Sequence, residues 1–218
     1  MTKFLRQNYL LILLLIFGAF LLSININKPF IGHHDFNSAF FSDIGRDLVR
    51  YDIKDTKLGL VQGGGAQNPN NLYYYTHNVP LHPWLLALSF YFFGLSEFQA
   101  RIISVVASLG ILLLVYKITE KLFSISAAIL AGLLFVTSPM IIYFGSSVFP
   151  DPIAIFFSLA SFYFFILLLE KKRTRDFCIL LISSSLSMLT VWGSYFLPPF
   201  LILYYLIFEK KKDLKKIL

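Results

Sequence analysis

Pro80-Leu81-His82-Pro83-Trp84-Leu85-Leu86-Ala87-Leu88-Ser89-Phe90-Tyr91-Phe92-Phe93 is the stretch on which the topology of the chain turns. As a helix its 14 residues rise roughly 21 Å, against a hydrocarbon core about 30 Å thick. Either it lies at a membrane interface, or it crosses and moves every later segment to the opposite side.

The surrounding sequence is strongly apolar. Of 218 residues 57% are hydrophobic, well above a soluble domain, and several runs are long enough to cross hydrocarbon. Spanning candidates cover residues 8–26, 98–122, 125–146, 152–169, 177–190 and 195–208, the last two short and interrupted by Trp192-Gly193. Tyr9 to Ser23, preceded by Lys3 and Arg6, looks like a signal peptide, but no small-x-small cleavage site follows it. It therefore reads as an uncleaved first span.

Charge decides how residues 80–93 are placed. With that stretch interfacial, six spans put 13 of 19 basic residues inside: Lys3, Arg6, Lys117, Lys121, Lys171, Lys172, Arg173, Arg175, Lys210, Lys211, Lys212, Lys215 and Lys216. If it crosses, the Lys171 to Arg175 cluster is thrown outside, against the positive-inside bias. The expectation is an all-α polytopic membrane protein, one transmembrane domain over residues 1–218, with both termini cytoplasmic. Because the net charge of +7 sits mostly at the ends of apolar segments, it reads as a topology signal and not as a nucleic-acid surface. The single Cys178 lies in an apolar run and excludes a disulfide framework within the chain.

This topology places the loop 27–79 outside, together with the turn Ser147-Val148-Phe149-Pro150-Asp151-Pro152. Asp35 and Asp151 then share one face. Within the loop, Phe40, Phe41, Ile44, Leu48 and Tyr51 recur at helical spacing, while Ser42, Asp43, Arg46, Asp47 and Arg50 occupy the other side. The pattern predicts an amphipathic helix over residues 37–51, capped by Asn37 or Ser38 and lying flat on the membrane. Asp35 would sit in the turn before it, a position suited to an ionised general base or to a plain capping role.

Other residues admit both structural and functional readings. Gly63-Gly64-Gly65 lacks the Lys-Ser/Thr and helix of a phosphate loop and reads as a flexible segment. Tyr73, Tyr74, Tyr75 and Trp84 suit an aromatic belt. Arg46 and Arg50 either pair with Asp43 and Asp47 or touch anionic lipid; Arg101 either snorkels, is balanced by Glu97, or binds phosphate. Asp151 between prolines is either a turn residue or part of a site. His33, His34 and His82 are possible metal ligands, yet no carboxylate pair accompanies them at ligand spacing. No cofactor is expected, and a divalent metal has no support.

Read in order, Asp35 before an amphipathic helix, Tyr75-Thr76-His77, Pro80-Leu81 and Trp84 to Leu88, Gly94 to Arg101, and Phe149-Pro150-Asp151-Pro152 resemble the membrane-embedded GT-C glycosyltransferases. The nearest likeness is to the protein O-mannosyltransferases and the lipid A aminoarabinose transferase-like proteins of bacteria and archaea. The resemblance implies a GT-C-like bundle of about six transmembrane helices, with juxtamembrane helices in the first outer loop, including residues 80–93. It further implies a polyprenyl-phosphate sugar donor and Asp35 as base toward a hydroxyl acceptor on protein, lipid or glycan, with Asp151 supporting the site. His77, Arg46 and Arg101 are the candidate phosphate partners. Two departures accompany it. Relatives are commonly about twice as long, so the C-terminal part of the family is expected to be missing here, and Leu189-Thr190 is followed by Val191 where relatives often carry Lys. The alternatives are a non-catalytic or truncated assembly protein, and then a lipid or sugar transporter. A transporter predicts charges buried within spans or an internal repeat, neither of which the sequence displays.

Overall fold

The computed structural model describes residues 2–51, 53–63 and 67–209. Gly64 and Gly65 of the glycine run, and Lys210, Lys211, Lys212, Lys215 and Lys216 of the last basic cluster, lie outside the described residues. The described residues form ten α-helices and no strand: α1 (Thr2–Ser23), α2 (Asp35–Arg50), α3 (Ile53–Thr56), α4 (Leu81–Phe93), α5 (Glu97–Leu122), α6 (Ile125–Thr137), α7 (Pro139–Phe144), α8 (Asp151–Lys171), α9 (Thr174–Met188) and α10 (Leu197–Tyr204). A 3-10 turn over Trp192–Phe196 precedes α10, and a π turn over Tyr205–Glu209 follows it. In the outer loop a lone antiparallel bridge joins Val61 to Tyr74.

α5 and α8 are long and apolar enough to cross a membrane, whereas the apolar parts of α1, α4 and α6 are shorter. Ionic pairs bracket α5. Arg101 lies near its start and Lys121 near its end, where Lys121 meets Glu170 of α8 at 2.5 Å; at 1.5 Å per residue the two cations are about 30 Å apart, the depth of a hydrocarbon core. Large apolar side chains remain uncovered on many helices, including Ile16 and Phe20 of α1, Leu134 of α6, Ile182 of α9 and Phe200 of α10. A soluble protein rarely exposes so extensive an apolar surface. This is an all-α membrane protein.

The helix ends follow local chemistry. Ser96 caps α5 by accepting the Gln99 N–H at 3.2 Å, and Ser124 caps α6 in the same way through Ala127. The segment expected as one span over 125–146 is instead broken into α6 and α7. Pro139 has no N–H to continue the helix, so Ser138 turns extended and Pro139 begins a new one. Helices or helical turns also overlie the other segments expected as spans, α1 beginning six residues before residue 8.

α2 departs from expectation in two ways. It begins at Asp35 instead of residue 37, with His34 at the N-cap in the left-handed conformation and no side-chain cap. Ser38, expected as a possible cap, is fully buried and its hydroxyl accepts the Val148 N–H at 3.2 Å. The apolar face, expected to lie on lipid, is covered by protein: Phe41 and Ile44 pack with Leu60, Leu86, Phe90, Ala100 and Val148. Gly45 permits this, since a Cβ there would come within 2.7 Å of the Leu86 Cβ. α4 is tied at its start by the Leu81 N–H to the Leu189 carbonyl, 2.9 Å, and through the Trp84 indole to the Leu58 carbonyl, 3.0 Å. Its other face, Leu88, Tyr91, Phe92 and Phe93, is exposed. The 13-residue helix rises only about 20 Å.

Candidate functional site

Asp35 is the first residue of α2, held by a tight turn. Its Oδ2 accepts the Gly32 N–H at 2.7 Å, and its Oδ1 lies 3.6 Å from Arg101 Nη2. Arg101 approaches from the first turns of α5 and is 7% exposed in its side chain, while that of Asp35 is 16% exposed. The same Arg101 Nη2 donates to the Lys28 carbonyl at 3.1 Å, and the guanidinium carbon stands 4.7 Å from the centre of the Phe30 ring. Arg101 therefore fastens the chain leaving α1 to the start of α2. Its Nε has no partner in the interior.

A cleft of about 620 Å³ opens at this pair, lined by Lys28, His33, Asp35, Arg101, Tyr143, Ser146 and Ser147 among others. α7 supplies one wall. The Tyr143 hydroxyl donates to the His33 carbonyl, and the Ser147 hydroxyl donates to the Tyr143 carbonyl at 2.9 Å. Ser108 of α5 donates to the Gly145 carbonyl at 2.8 Å, so the turn after α7 is anchored to α5 as well as to α2. The cleft combines one carboxylate, a lysine, an imidazole and hydroxyls, a set suited to a polar, anionic ligand.

The sequence candidates separate here. Asp35 and Arg101 come together. Asp151 begins α8 and is exposed, outside the cleft lining, although Ser38 and Val148 connect its turn to the start of α2. Arg46 is held by its own helix, 2.5 Å from Asp43 and 3.0 Å from Asp47. Burial pushes the Asp47 carboxyl above its usual range, and the Arg46 contact only partly opposes that rise. His77 is exposed on the loop before α4; its carbonyl accepts the Trp192 indole N–H at 2.9 Å and its ring lies 5.4 Å from that of Tyr75. Neither Arg46 nor His77 lines the cleft. Arg101 meets Asp35, not the Glu97 one turn earlier.

Sequence reasoning missed Lys28, Tyr143, Ser146 and Ser147 and considered His33 only as a metal ligand. No local signal marks the first four, because they reach the cleft only through the packing of α1, α5 and α7. Among the described residues no group of three or more His, Cys, Asp or Glu side chains is placed to hold a metal. His82 stands apart, fully buried against Phe41 with neither ring nitrogen partnered.

A helical membrane protein with an acid–guanidinium cleft at one end of its bundle is the class that fold and geometry define. Residues 77–218 match the model of the dolichyl-phosphate-mannose-protein mannosyltransferases, and the chain belongs to that family. Arg101 and Asp151 fall within the matched residues, and Asp35 precedes them. A protein of Aquifex aeolicus (strain VF5), described only as uncharacterized, is 38% identical over 96 residues, covering 43% of this chain and 22% of the relative. The chain thus matches about a fifth of that relative's length. No solved structure matches the chain.

Proposed function

We propose that the Asp35 cleft is the acceptor-activating centre of a glycosyltransferase that moves a sugar from a polyprenyl-phosphate donor to a hydroxyl acceptor at the outer membrane face. The observation that carries this reading is the contact between half-buried Asp35 and buried Arg101 at a cleft whose lining also includes Lys28, His33 and hydroxyls. Family membership supports the sugar chemistry. Six spans with cytoplasmic termini remain the topology of this proposal, with α4 as an interfacial helix.

In the proposed step the acceptor oxygen attacks the anomeric carbon of the donor. The bond from that carbon to the phosphate oxygen breaks, polyprenyl phosphate departs with the bonding pair, and the acceptor proton passes to the Asp35 carboxylate. Gly32 N–H and Arg101 fix the orientation of that carboxylate, so Arg101 acts as a positioning residue. Lys28 and His33 are better situated than Arg46 or His77 to meet the phosphate, because they line the cleft. Asp151, outside the cleft lining, is assigned a supporting role through its turn, which is joined to the start of α2 by Val148 and Ser38.

Transfer of labelled sugar from polyprenyl-phosphate mannose by the purified chain tests this. Asp35→Asn is expected to lower the rate about 100-fold or more, the scale of a lost general base. Arg101→Gln is expected to lower kcat with little change in donor KM, and Arg101→Lys to restore part of it. Unchanged transfer by Asp35→Asn would remove the assigned base.

A further inference from the structure

We propose that the groove between α8, α9 and α10 binds a diacyl phospholipid with an anionic headgroup, taken from the leaflet opposite the Asp35 cleft. The inference rests on the membrane reading above and not on the transfer chemistry. The groove holds about 660 Å³, and its walls are apolar, with Phe165, Leu169, Phe177, Leu180 and Leu201 prominent. From Phe177 to Met188 one wall runs about 17 Å along α9, close to the roughly 15 Å of hydrocarbon in a single leaflet. The shape suits acyl chains lying along the helix.

The charge at one end selects the headgroup. Lys172 lines the groove there, within Lys171-Lys172-Arg173-Thr174-Arg175, a turn with four cations in five residues. Lys171 and Arg173 are exposed, and among the described residues neither pairs with a carboxylate. Arg175 is 71% exposed although its Nη2 lies 3.6 Å from buried Asp176. Glu209 lines this end as well, opposite in sign to Lys172, and Glu170 is engaged by Lys121, so the headgroup is met by Lys171, Arg173 and Arg175 on the turn beside the groove. A basic turn beside an apolar slot recognises an amphiphile with a phosphate head. A soluble anion would leave the slot empty.

The sugar donor is a poor match for this groove. The basic turn is at the C-terminal end of α8, about 30 Å along that helix from Asp151, whose turn is joined to the start of α2. The two sites therefore face opposite leaflets.

Native mass spectrometry of the 218-residue chain in detergent, titrated with dioleoylphosphatidylglycerol and with dioleoylphosphatidylcholine, tests the site. Phosphatidylglycerol is expected to be retained at one per chain and at least tenfold more tightly. Replacing Arg173 and Arg175 together by Gln is expected to reduce its affinity to that of the choline lipid. Ile202→Trp, which adds bulk from an exposed groove position, is expected to displace both lipids, while Leu134→Trp on α6 leaves binding intact. Equal affinity for the two lipids, a preference that survives the double Gln variant, lipid retained by Ile202→Trp, or a second copy of the chain held in place of lipid would each overturn the proposal. Absent sugar transfer with intact phosphatidylglycerol selectivity would count against the transferase reading alone.

Discussion

At the residue scale, His82 and Arg101 show two ways in which burial acts on a polar side chain. His82 is fully enclosed, and burial pushes its imidazole down to about 3. The unfolded chain takes up that proton below about pH 6.5, whereas the folded chain takes it up only near pH 3. Stability is therefore complete above pH 6.5 and falls as the pH drops through that window, by an amount on the order of 5 kcal/mol for a free-energy slope near 1.4 per unit. Chemical unfolding followed between pH 7.5 and 4 should display roughly two thirds of this loss, and His82→Leu should flatten it. An equally steep acid loss in His82→Leu would assign the effect to other groups. Arg101 shares its burial with a carboxylate, a carbonyl and an aromatic face. Asp35 as a candidate was legible from its place before an amphipathic helix. Its partner was not, because the two residues lie on separate helices and the sequence between them gives no direction to the guanidinium.

At the element scale, α8 and α9 are joined by hydroxyls. Ser187 Oγ lies 2.7 Å from Ser158 Oγ, donates to Ser194 Oγ at 2.8 Å and reaches the Ala154 carbonyl at 3.1 Å. Ser161 donates to Ser183 at 2.9 Å one layer away. Such bonds are worth roughly 0.5 to 1.5 kcal/mol each within a membrane bundle. Ser187→Ala should lower the midpoint of thermal unfolding in detergent by about 2 to 4 °C per kcal/mol lost, and Ser187→Leu by more, since a larger side chain must enter a buried seam. Leu181→Ala, at an exposed position of α9, should have little effect. A Ser187→Ala midpoint equal to wild type would show the network to be energetically idle. The serines are visible in the sequence as polar residues inside an apolar run. Their pairing required the angle at which α9 folds back on α8. α2 teaches a similar lesson: its apolar stripe was clear from helical spacing, but α4 and Val148 cover it instead of lipid. Periodicity identifies a face that must be buried and is silent about what buries it.

For the whole molecule, the decisive test concerns sides. With Cys178 replaced, single cysteines introduced at positions 36, 151 and 173 should react with an impermeant reagent from outside, outside and inside respectively. Labelling of position 151 from the cytoplasm alone would break the shared face proposed for Asp35 and Asp151, and with it the six-span arrangement. The charge bias and the shortness of residues 80–93 carried that arrangement, and both are properties of composition along a line. By itself the sequence determined the helical membrane class, the shortness of α4 and the order in which the acids occur, because hydropathy, length and helix period are local quantities that each segment expresses alone. Tertiary structure decided that Arg101 grips Asp35, that α7 and Lys28 complete the cleft, that Arg46 is held by its own helix and that α2 rests on protein. Those outcomes depend on which faces meet when helices pack, and the direction of a side chain across a helix contact is fixed only when the partner surface is in place.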